Sequence, residues 1–392
     1  MKRREFLQLA AAVPAIGSLW GNSGASSAFA ATNATKLLVL VYLKGGNDSY
    51  NTFVPYTNAK YKSLRPTLAL HGDSLIHVTD THGFHPSLAA LMPAWKANDL
   101  ALLQGIGQQE ITNQHYRDLE TQFTGASLDE FYDTGWLTRA MLKNPQSASS
   151  LDAIAFDDLD IREADPMGPF RGQKLKVVQM QHPSEWLAER KFAGTKHLAT
   201  LPARALEQSF QQPTVAAFKT QFPAEPFADA LKSAVQLTQA SMAPPVIHIT
   251  LNGLDGDQHS GFDTHWNQLK YHGAILQRLA GGIAAFREAM IEIGEWNNTL
   301  IATYDEFGRS PKENDKTGTH HGWASSQFMA GGRIKGGLHG EAPPVVDVFA
   351  LDGPPPVIDY RELYTTMIEN WWGGSANGVF SSRFKSLDIL KT

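Results

Sequence analysis

The sequence predicts an α/β protein with a largely parallel sheet flanked by helices. Residues 36–43 form a continuous run of leucine and β-branched residues that ends at Gly45 and Gly46, a pattern typical of a strand buried on both faces. Val246–Leu251 and residues 300–304 repeat that pattern. Between them, apolar residues from Leu269 to Ile293 recur every three or four positions, which predicts a long helix covering the sheet. Strand, helix and strand in succession favour parallel pairing.

Shorter patterns extend this architecture on both sides. Residues 100–103 and 176–180 are predicted strands, and residues 85–96 and 227–240 are predicted helices. The segment 183–245 is rich in Ala, Gln and Phe and is interpreted as a mostly helical insertion or cap on a single domain covering residues 31–392. The prolines of residues 353–356 precede a last helix for which Asp359 is the predicted N-cap.

Composition excludes several kinds of chemistry. The 392 residues are 42% hydrophobic and include no cysteine, so disulfides, thiolate metal sites and cysteine nucleophiles are ruled out. The formal net charge is −5, and no basic run follows the first few positions, which argues against nucleic-acid binding. Metal or covalent chemistry would depend on His, Asp, Glu and hydroxyl groups.

The first 30 residues are predicted to be a targeting segment. Arg3 and Arg4 precede a weakly apolar stretch, and residues 28–30 fit an A-x-A cleavage site. This arrangement resembles a twin-arginine export signal, which implies the export machinery as a partner and a periplasmic or secreted product. An amphipathic N-terminal helix is the alternative. No later apolar run reaches the length of a membrane span, so the mature chain is expected to be soluble.

Polar residues gather where the three strongest predicted strands end. Asp48 follows the first strand and Asp305 and Glu306 follow the third. The remaining candidates in these loops are Asp255, Asp257, His259, Asp263 and His265 after the second strand, and Arg309, His320 and His321 after the third. Ligands in open α/β sheets bind beyond the carboxyl ends of the strands, so these groups together predict a site for one or two metals. Each group alone is equally compatible with a turn, a helix cap or a solvated pair.

Several motifs resemble one family, the exported domain of unknown function 1501, over nearly the whole mature chain. They are residues 45–48 (GGND), 261–265 (GFDTH), 306–310 (EFGRS), 313–314 (EN), 318–322 (GTHHG) and 331–337 (GGRIKGG). The family is grouped with alkaline phosphatases and sulfatases, which implies an alkaline phosphatase-like fold with one or two divalent metals at the strand ends.

The resemblance also implies roles for individual residues. Asp48 would match the metal-binding aspartate of the first strand, and Asp263 with His265 would supply a second set of ligands. The remaining implied ligands are Glu306 together with Asp305, and the late histidine His321.

Two positions depart from the family pattern. Gln114 stands where relatives carry a serine before the His115-Tyr116 pair, and His320 stands where relatives more often have an acidic residue. Thr112 is the nearest hydroxyl to the expected nucleophile position, and it could equally be the N-cap of the helix predicted over residues 113–122. Arg309 could hold a substrate anion, or pair with Glu306 or Asp305 in a structural role.

The sequence therefore leads to a hypothesis with two alternatives. The first is an exported metal-dependent hydrolase of small phosphate or related anionic esters, with zinc, magnesium, manganese and calcium all open as the metal. The second is a non-catalytic, metal-stabilised binding or assembly protein of the cell envelope. Phosphomutase or esterase chemistry on a carbohydrate or lipid is a third interpretation. A formylglycine sulfatase is excluded because no suitable Ser-x-Pro/Ala-x-Arg string occurs. The sequence predicts no oligomeric state.

Overall fold

The structure, a computed structural model, describes residues 36–146, 151–156, 168–172, 174–180, 218–253, 261–348 and 355–391. Thr35–Thr392 form one compact unit. The predicted export signal, most of the predicted helical insertion, and Asp255, Asp257 and His259 lie outside the described residues.

A central sheet of nine strands organises the described chain. In chain order its strands are β1 (Leu37–Leu43), β5 (Leu100–Gly107), β6 (Ala153–Phe156), β7 (Val177–Met180), β8 (Val246–Leu251), β9 (Thr299–Tyr304), β12 (Ser325–Ala330), β13 (Gly337–Gly340) and β14 (Ile358–Asp359). Two small sheets join β2 (Phe53–Val54), β3 (Ile76–His77) and β4 (Gly83–Phe84), and β10 (Gly308–Glu313) with β11 (Thr319–Gly322).

The central sheet is mostly parallel, which confirms the predicted α/β class. Its order is β13-β5-β12-β9-β1-β8-β6-β7, and β14 also pairs with β5. Strand β1 lies in parallel between β8 and β9, with Leu40 opposite His248 on one side and Ala302 on the other. Among the described strands of the central sheet, β12 alone is antiparallel to its neighbours, β5 and β9. The start of β12 therefore lies at the edge where β5 and β9 end.

Helices cover both faces of this sheet. The α-helices are α1 (Ser49–Thr52), α2 (Ala59–Leu64), α3 (Met92–Lys96), α4 (His115–Thr124), α5 (Trp136–Lys143), α6 (Pro226–Gln239), α7 (Gln268–Glu292) and α8 (Tyr360–Thr366). Short 3₁₀ segments cover Gly72–Ser74, Pro86–Leu91, Gly168–Phe170 and Trp296–Asn298, and a π-turn covers Met367–Trp371. No helix in the described part of the chain is both long and apolar enough for a bilayer crossing.

The alternation of side chains along β1 divides the core into two layers. Val39 and Val41 pack in the layer that contains α6 and α7, whereas Leu38 and Leu40 pack in the layer that contains α5 and α8. Each fully buried aliphatic side chain contributes roughly 1.5–3 kcal/mol to folding, so both layers are needed to hold the sheet. Helix α6, which falls in the predicted insertion, is part of the first layer.

Local signals account for the ends of several helices. The carboxylate of Asp359 accepts a hydrogen bond from the Arg361 N–H, as predicted for the N-cap of α8. The helix predicted over residues 85–96 is instead a 3₁₀ segment followed by α3, and Pro93 lies near the start of α3 because it has no N–H to donate. His85 caps the 3₁₀ segment by accepting from the Ser87 N–H.

Candidate metal centre

Four side chains converge at the carboxyl edge of the sheet. Asp263 and His265 lie in the loop after β8, His321 lies on β11, and His115 begins α4 after β5. The Nε2 atoms of His115, His265 and His321 lie 3.5, 3.0 and 3.4 Å from Oδ1 of Asp263. His265 Nε2 is also 3.0 Å from His321 Nε2. One ligand atom from each side chain therefore lies within 4.8 Å of every other.

Outer hydrogen bonds fix how two of these imidazoles face the centre. His115 Nδ1 lies 2.7 Å from the Glu306 carboxylate and His321 Nδ1 lies 2.8 Å from the Asn113 carbonyl oxygen. Both partners are acceptors, so each Nδ1 carries a proton, and Nε2 is the nitrogen of each ring that faces the centre and can bind a cation once it has lost its own proton. Histidine ligands of metals have this arrangement, in which the other ring nitrogen donates to a carboxylate or a backbone carbonyl.

The donor set fits a divalent cation. Four atoms arranged tetrahedrally at roughly 2.0–2.1 Å from Zn²⁺ are about 3.3 Å apart, close to the separations within the cluster. Three imidazole nitrogens and one carboxylate oxygen match cations of intermediate softness better than Mg²⁺ or Ca²⁺, which prefer oxygen ligands. The exposed fractions of the side chains are 36% for His115, 29% for His265, 21% for Asp263 and 14% for His321, so solvent reaches the cluster.

Arg309 on β10 joins the loops that carry these residues. Its buried guanidinium donates to the carbonyl oxygens of Gly45, Gly46 and Thr319 and to the Asp263 carboxylate. One side chain thus ties the loop after β1 to β11 and to Asp263. This contact explains how segments far apart in the chain meet at one place.

Two glycines allow the loops to approach closely. Gly46 has a φ of +85°, and a Cβ there would lie 2.7 Å from the Phe307 carbonyl oxygen. A Cβ at Gly318 would lie 2.2 Å from the carbonyl carbon of His265. Only glycine fits at either position without moving the backbone next to the cluster.

The cluster shifts the pKa values of its own members. Burial raises the pKa of Asp263, but hydrogen bonds from His115, His265 and His321 and the charge of Arg309 outweigh burial and hold it well below its usual range. Burial lowers the pKa of His115, yet its bonds to Asp263 and Glu306 raise it to about 9. Burial dominates at His321 and lowers its pKa. Asp263 is therefore ionised, as a metal-binding carboxylate must be.

Glu306, predicted as a ligand, lies behind the cluster as a support for His115. Its buried carboxylate accepts from the backbone N–H of Gly45 at 3.0 Å and from the Tyr42 hydroxyl. Its contact with His115 is made through Nδ1, on the far side of the ring from the cluster. Glu306 therefore orients a candidate ligand and is outside the group of converging donor atoms.

Asp305, also predicted as a ligand, turns away from the cluster. It accepts from the Asn47 N–H at 3.0 Å and from the Ser325 hydroxyl at 2.8 Å. Burial raises the pKa of Asp305 to about 8, and the charge of Glu306 acts in the same direction. Its contacts connect the loop after β1 to the start of β12.

Asp48, predicted as a ligand, lies outside the converging group. Its carboxylate is fully buried and forms an ion pair with Arg65, with Asp48 Oδ2 2.6 Å from Arg65 Nη1. It also accepts from the Tyr50 N–H, as the N-cap of α1, and from the Gln268 amide. Its oxygens are thus occupied by protein donors, and the structure does not bring it into the converging group.

His320 also lies outside the converging group. Neighbouring residues of a strand point to opposite faces, so His320 projects away from the side to which His321 points. Its side chain is exposed, and its ring centroid is 6.1 Å from that of His265.

The two residues predicted as catalytic, Thr112 and Arg309, are bonded to other groups of the protein. The Thr112 hydroxyl donates to Asp118 at 3.0 Å and accepts from the Gln114 N–H. The N-cap of α4 is Gln114, so the alternative role of Thr112 as that N-cap is also corrected. The guanidinium of Arg309 is fully buried and pairs with Asp263, so it does not lie open to a substrate anion, and its partner is neither of the carboxylates expected from the sequence.

His115 is the member of the cluster that the sequence did not single out as a ligand. The available signal is its position: it follows the carboxyl end of β5, the same rule that identified the loops after β1, β8 and β9. The apolar pattern shows β5 only as a short run of four residues, whereas the strand extends over Leu100–Gly107 and so ends closer to His115.

Comparison with known protein families supports the resemblance. Residues 235–370 match the family described as "Protein of unknown function (DUF1501)", which confirms the family resemblance predicted from the sequence. The matched region contains Asp263, His265 and His321. No curated protein matches the chain.

Solved structures similar to this chain include members of the alkaline phosphatase superfamily. The phosphonate monoester hydrolase SpPMH from Silicibacter pomeroyi is 13% identical, with 90% of this chain and 76% of that chain covered and a TM-score of 0.43. The zinc complex of the C-terminal periplasmic domain of EcEptC from Escherichia coli is 10% identical, with coverages of 77% and 74% and a TM-score of 0.40. An alkaline phosphatase superfamily protein from Vibrio parahaemolyticus is 11% identical, with coverages of 87% and 67% and a TM-score of 0.40. At these TM-scores we take nothing about activity from them.

Proposed function

We propose that His115, His265, His321 and Asp263 bind one divalent cation and that zinc is the preferred ion. The observation that carries this proposal is the convergence of their four ligand atoms within 4.8 Å, with two imidazoles locked from outside by acceptors. Without a cation, imidazole N–H groups hydrogen-bond to the Asp263 carboxylate. A bound cation would take the place of those protons, because metal binding to histidine releases them.

We further propose that the protein hydrolyses phosphate or related anionic esters at this centre. A bound cation would polarise an ester oxygen and lower the pKa of water. The chain's own residues supply the rest: Glu306 orients His115, Arg309 fixes Asp263, and the partly exposed faces of His115 and His265 border the solvent through which an ester would enter. Because the Thr112 hydroxyl is committed to Asp118, we assign the attacking oxygen to water.

The experiment is an ester assay with matched histidine variants. The purified protein is freed of metal, reloaded with Zn²⁺ or Mn²⁺, and tested on chromogenic phosphate monoesters, phosphate diesters and sulfate esters. We expect metal-dependent turnover that is lost in His265→Ala and retained in His320→Ala, its exposed neighbour. Absence of turnover on the whole panel, or equal turnover in both variants, would remove the hydrolase proposal.

A non-catalytic role is the second candidate, and a specific observation favours it. Four protein ligands complete a tetrahedral set, which is typical of structural zinc sites, whereas catalytic sites usually keep one position for water. In addition, the hydroxyl of Thr112, the nucleophile expected from the sequence, is bonded to Asp118. This alternative predicts tight metal binding that raises the melting temperature and no turnover of any ester, a result that the same assay panel would reveal.

We also propose that the chain is exported by the twin-arginine route. The support is the order of Arg3, Arg4, the short apolar stretch and the small-residue site at residues 28–30. Replacing both arginines by lysine should leave the uncleaved protein in the cytoplasm. Normal export and cleavage of that variant would contradict the proposal.

A further inference from the structure

Arg65 is the most completely bonded cation in the described part of the chain. All five of its N–H groups donate: Nη1 to Asp48 and Asn51, Nη2 to Asp48 and the Ser310 carbonyl, and Nε to the Pro311 carbonyl. These donor–acceptor distances lie between 2.6 and 3.0 Å. The guanidinium is fully buried, as is the Asp48 carboxylate.

The groups around this guanidinium form an oxygen cage. It consists of both carboxylate oxygens of Asp48, the side-chain oxygen of Asn51 and the backbone oxygens of Ser310 and Pro311. Carboxylate, amide and backbone oxygens are the ligands that hard divalent cations such as Ca²⁺ take in proteins. The cage therefore has the ligand types of a cation site. The cation that occupies it is the Arg65 guanidinium.

We propose that the Arg65 guanidinium takes the place of a metal ion at Asp48, and that removing it creates a site for a hard divalent cation. Asp48 is the position at which the sequence predicted a ligand of the metal site, and the guanidinium lies there. This proposal rests on the proposed function in one respect, which is that the histidine cluster is the metal centre. It further implies that Asp48 contributes nothing to metal binding in the natural chain.

The Arg65 guanidinium also stabilises the strand next to the candidate metal centre. Arg65 holds Ser310 and Pro311 on β10, and the residue preceding them, Arg309, holds Asp263. A guanidinium is permanently charged and cannot exchange with solvent, so this stabilisation does not depend on the concentration of any free ion. It thereby fixes one side of the candidate metal centre before any metal binds there.

The main test uses Arg65→Ala with Arg65→Lys as its matched control. Tyr50 and Tyr61 have ring centroids 5.0 and 5.9 Å from Arg65 Cζ, so a Tb³⁺ ion in the cage would show tyrosine-sensitised luminescence. We expect Arg65→Ala to bind one more equivalent of Ca²⁺ than the wild type and to gain this luminescence. Arg65→Lys should show neither gain because the ammonium keeps a cation in the cage. A folded Arg65→Ala protein with no added site would overturn the proposal.

A second test avoids any change to the ion pair, in case Arg65→Ala fails to fold. Tyr50→Phe removes only a hydroxyl, which donates to the Pro344 carbonyl and not to an oxygen of the cage. We expect the Tb³⁺ emission of the wild-type chain and that of the Tyr50→Phe variant to be the same. A loss of emission in Tyr50→Phe would place an ion beside Asp48 and overturn the proposal. Zinc binding that is lost in His265→Ala is measured separately, so failure of the histidine centre is distinguishable from failure at Arg65.

Discussion

Asp48 and Asp263 are each paired with a buried arginine, and the two pairs differ in how the guanidinium distributes its donors. Arg65 gives two N–H groups to the two oxygens of Asp48, which leaves that carboxylate neutralised and enclosed. Arg309 donates to Asp263 once and otherwise binds backbone oxygens of the neighbouring loops. Asp263 therefore keeps its contacts with three imidazoles and remains partly exposed. In this protein, the two-bond pair of Arg65 encloses Asp48, whereas the single bond from Arg309 leaves Asp263 in contact with the imidazoles.

Substitutions in the histidine cluster distinguish the role of Asp263 from that of Asp48 most clearly. We expect His321→Ala and Asp263→Ala each to weaken Zn²⁺ binding by more than the roughly 10–100-fold that loss of an outer-shell partner costs, because each removes a ligand atom directly. Isothermal titration with competing chelators measures the affinity. His320→Ala is the control, and a similar loss in His320→Ala would contradict the assignment.

Asp48→Ala is expected to act on stability instead of metal binding. Leaving Arg65 buried without its carboxylate should lower the free energy of unfolding by about 3–5 kcal/mol. Urea unfolding at neutral pH measures this change. The double variant Asp48→Leu/Arg65→Met removes both charges and should recover much of the loss; if it is no more stable than Asp48→Ala, the unpaired charge is not the cause.

Glu306→Gln tests the support behind His115. The amide keeps the shape but loses the charge that holds the Nδ1 proton, so we expect Zn²⁺ affinity to fall by roughly 10–100-fold, an effect typical of outer-shell changes. The melting temperature of the metal-free protein checks for a merely structural effect. Unchanged affinity in a folded Glu306→Gln protein would show that orientation of His115 by Glu306 has no consequence for metal binding.

The last prediction concerns the pH dependence of stability, which separates two buried histidines from the cluster. Burial lowers the pKa of His272 to about 3 and that of His85 to about 4. Unfolding returns both to about 6.5, so between pH 6.5 and 4 the unfolded chain binds more protons and stability falls as pH falls. The slope is about 1.4 kcal/mol per pH unit for each histidine.

His272→Gln should reduce the pH dependence of the free energy of unfolding by about 1.4 kcal/mol per pH unit, the contribution of one histidine. His272 Nε2 lies 3.0 Å from the Asn47 side-chain oxygen, and a glutamine amide can donate to the same atom without titrating. Denaturant unfolding at pH 7, 6 and 5 gives the slope for both proteins. Parallel pH profiles would mean that protonation of His272 does not contribute.

The sequence predicted the buried strands that are mostly apolar and failed where a buried strand is polar. Strands β1, β8 and β9 lie within one residue of their predicted ends because aliphatic and β-branched residues dominate them, a pattern typical of strands buried on both faces. Strand β12 begins with Ser325, Ser326 and Gln327, which are buried only because β5 and β9 supply hydrogen-bonding partners, such as Thr303 for Gln327. These hydrogen bonds form only in the tertiary structure, so no pattern in the local sequence indicates that the polar residues are buried.

The same limit applies to the candidate site. The loops containing Asp263, His265 and His321 could be found from the rule that sites follow strand ends. The sequence could not show whether a carboxylate in such a loop faces the histidine cluster or pairs with an arginine side chain. Arg65 contacts Asp48 only because α2, which precedes it, packs against β10 in the folded chain. Pairing of charges across the fold therefore decides which of several suitable loops forms the centre.

Anomalous diffraction from crystals soaked with zinc tests the central claim most directly. We predict one strong anomalous peak enclosed by Asp263 Oδ1 and the Nε2 atoms of His115, His265 and His321, with Arg65 still bound to Asp48. A peak beside Asp48 with Arg65 displaced, or no peak among the three imidazoles, would contradict the account.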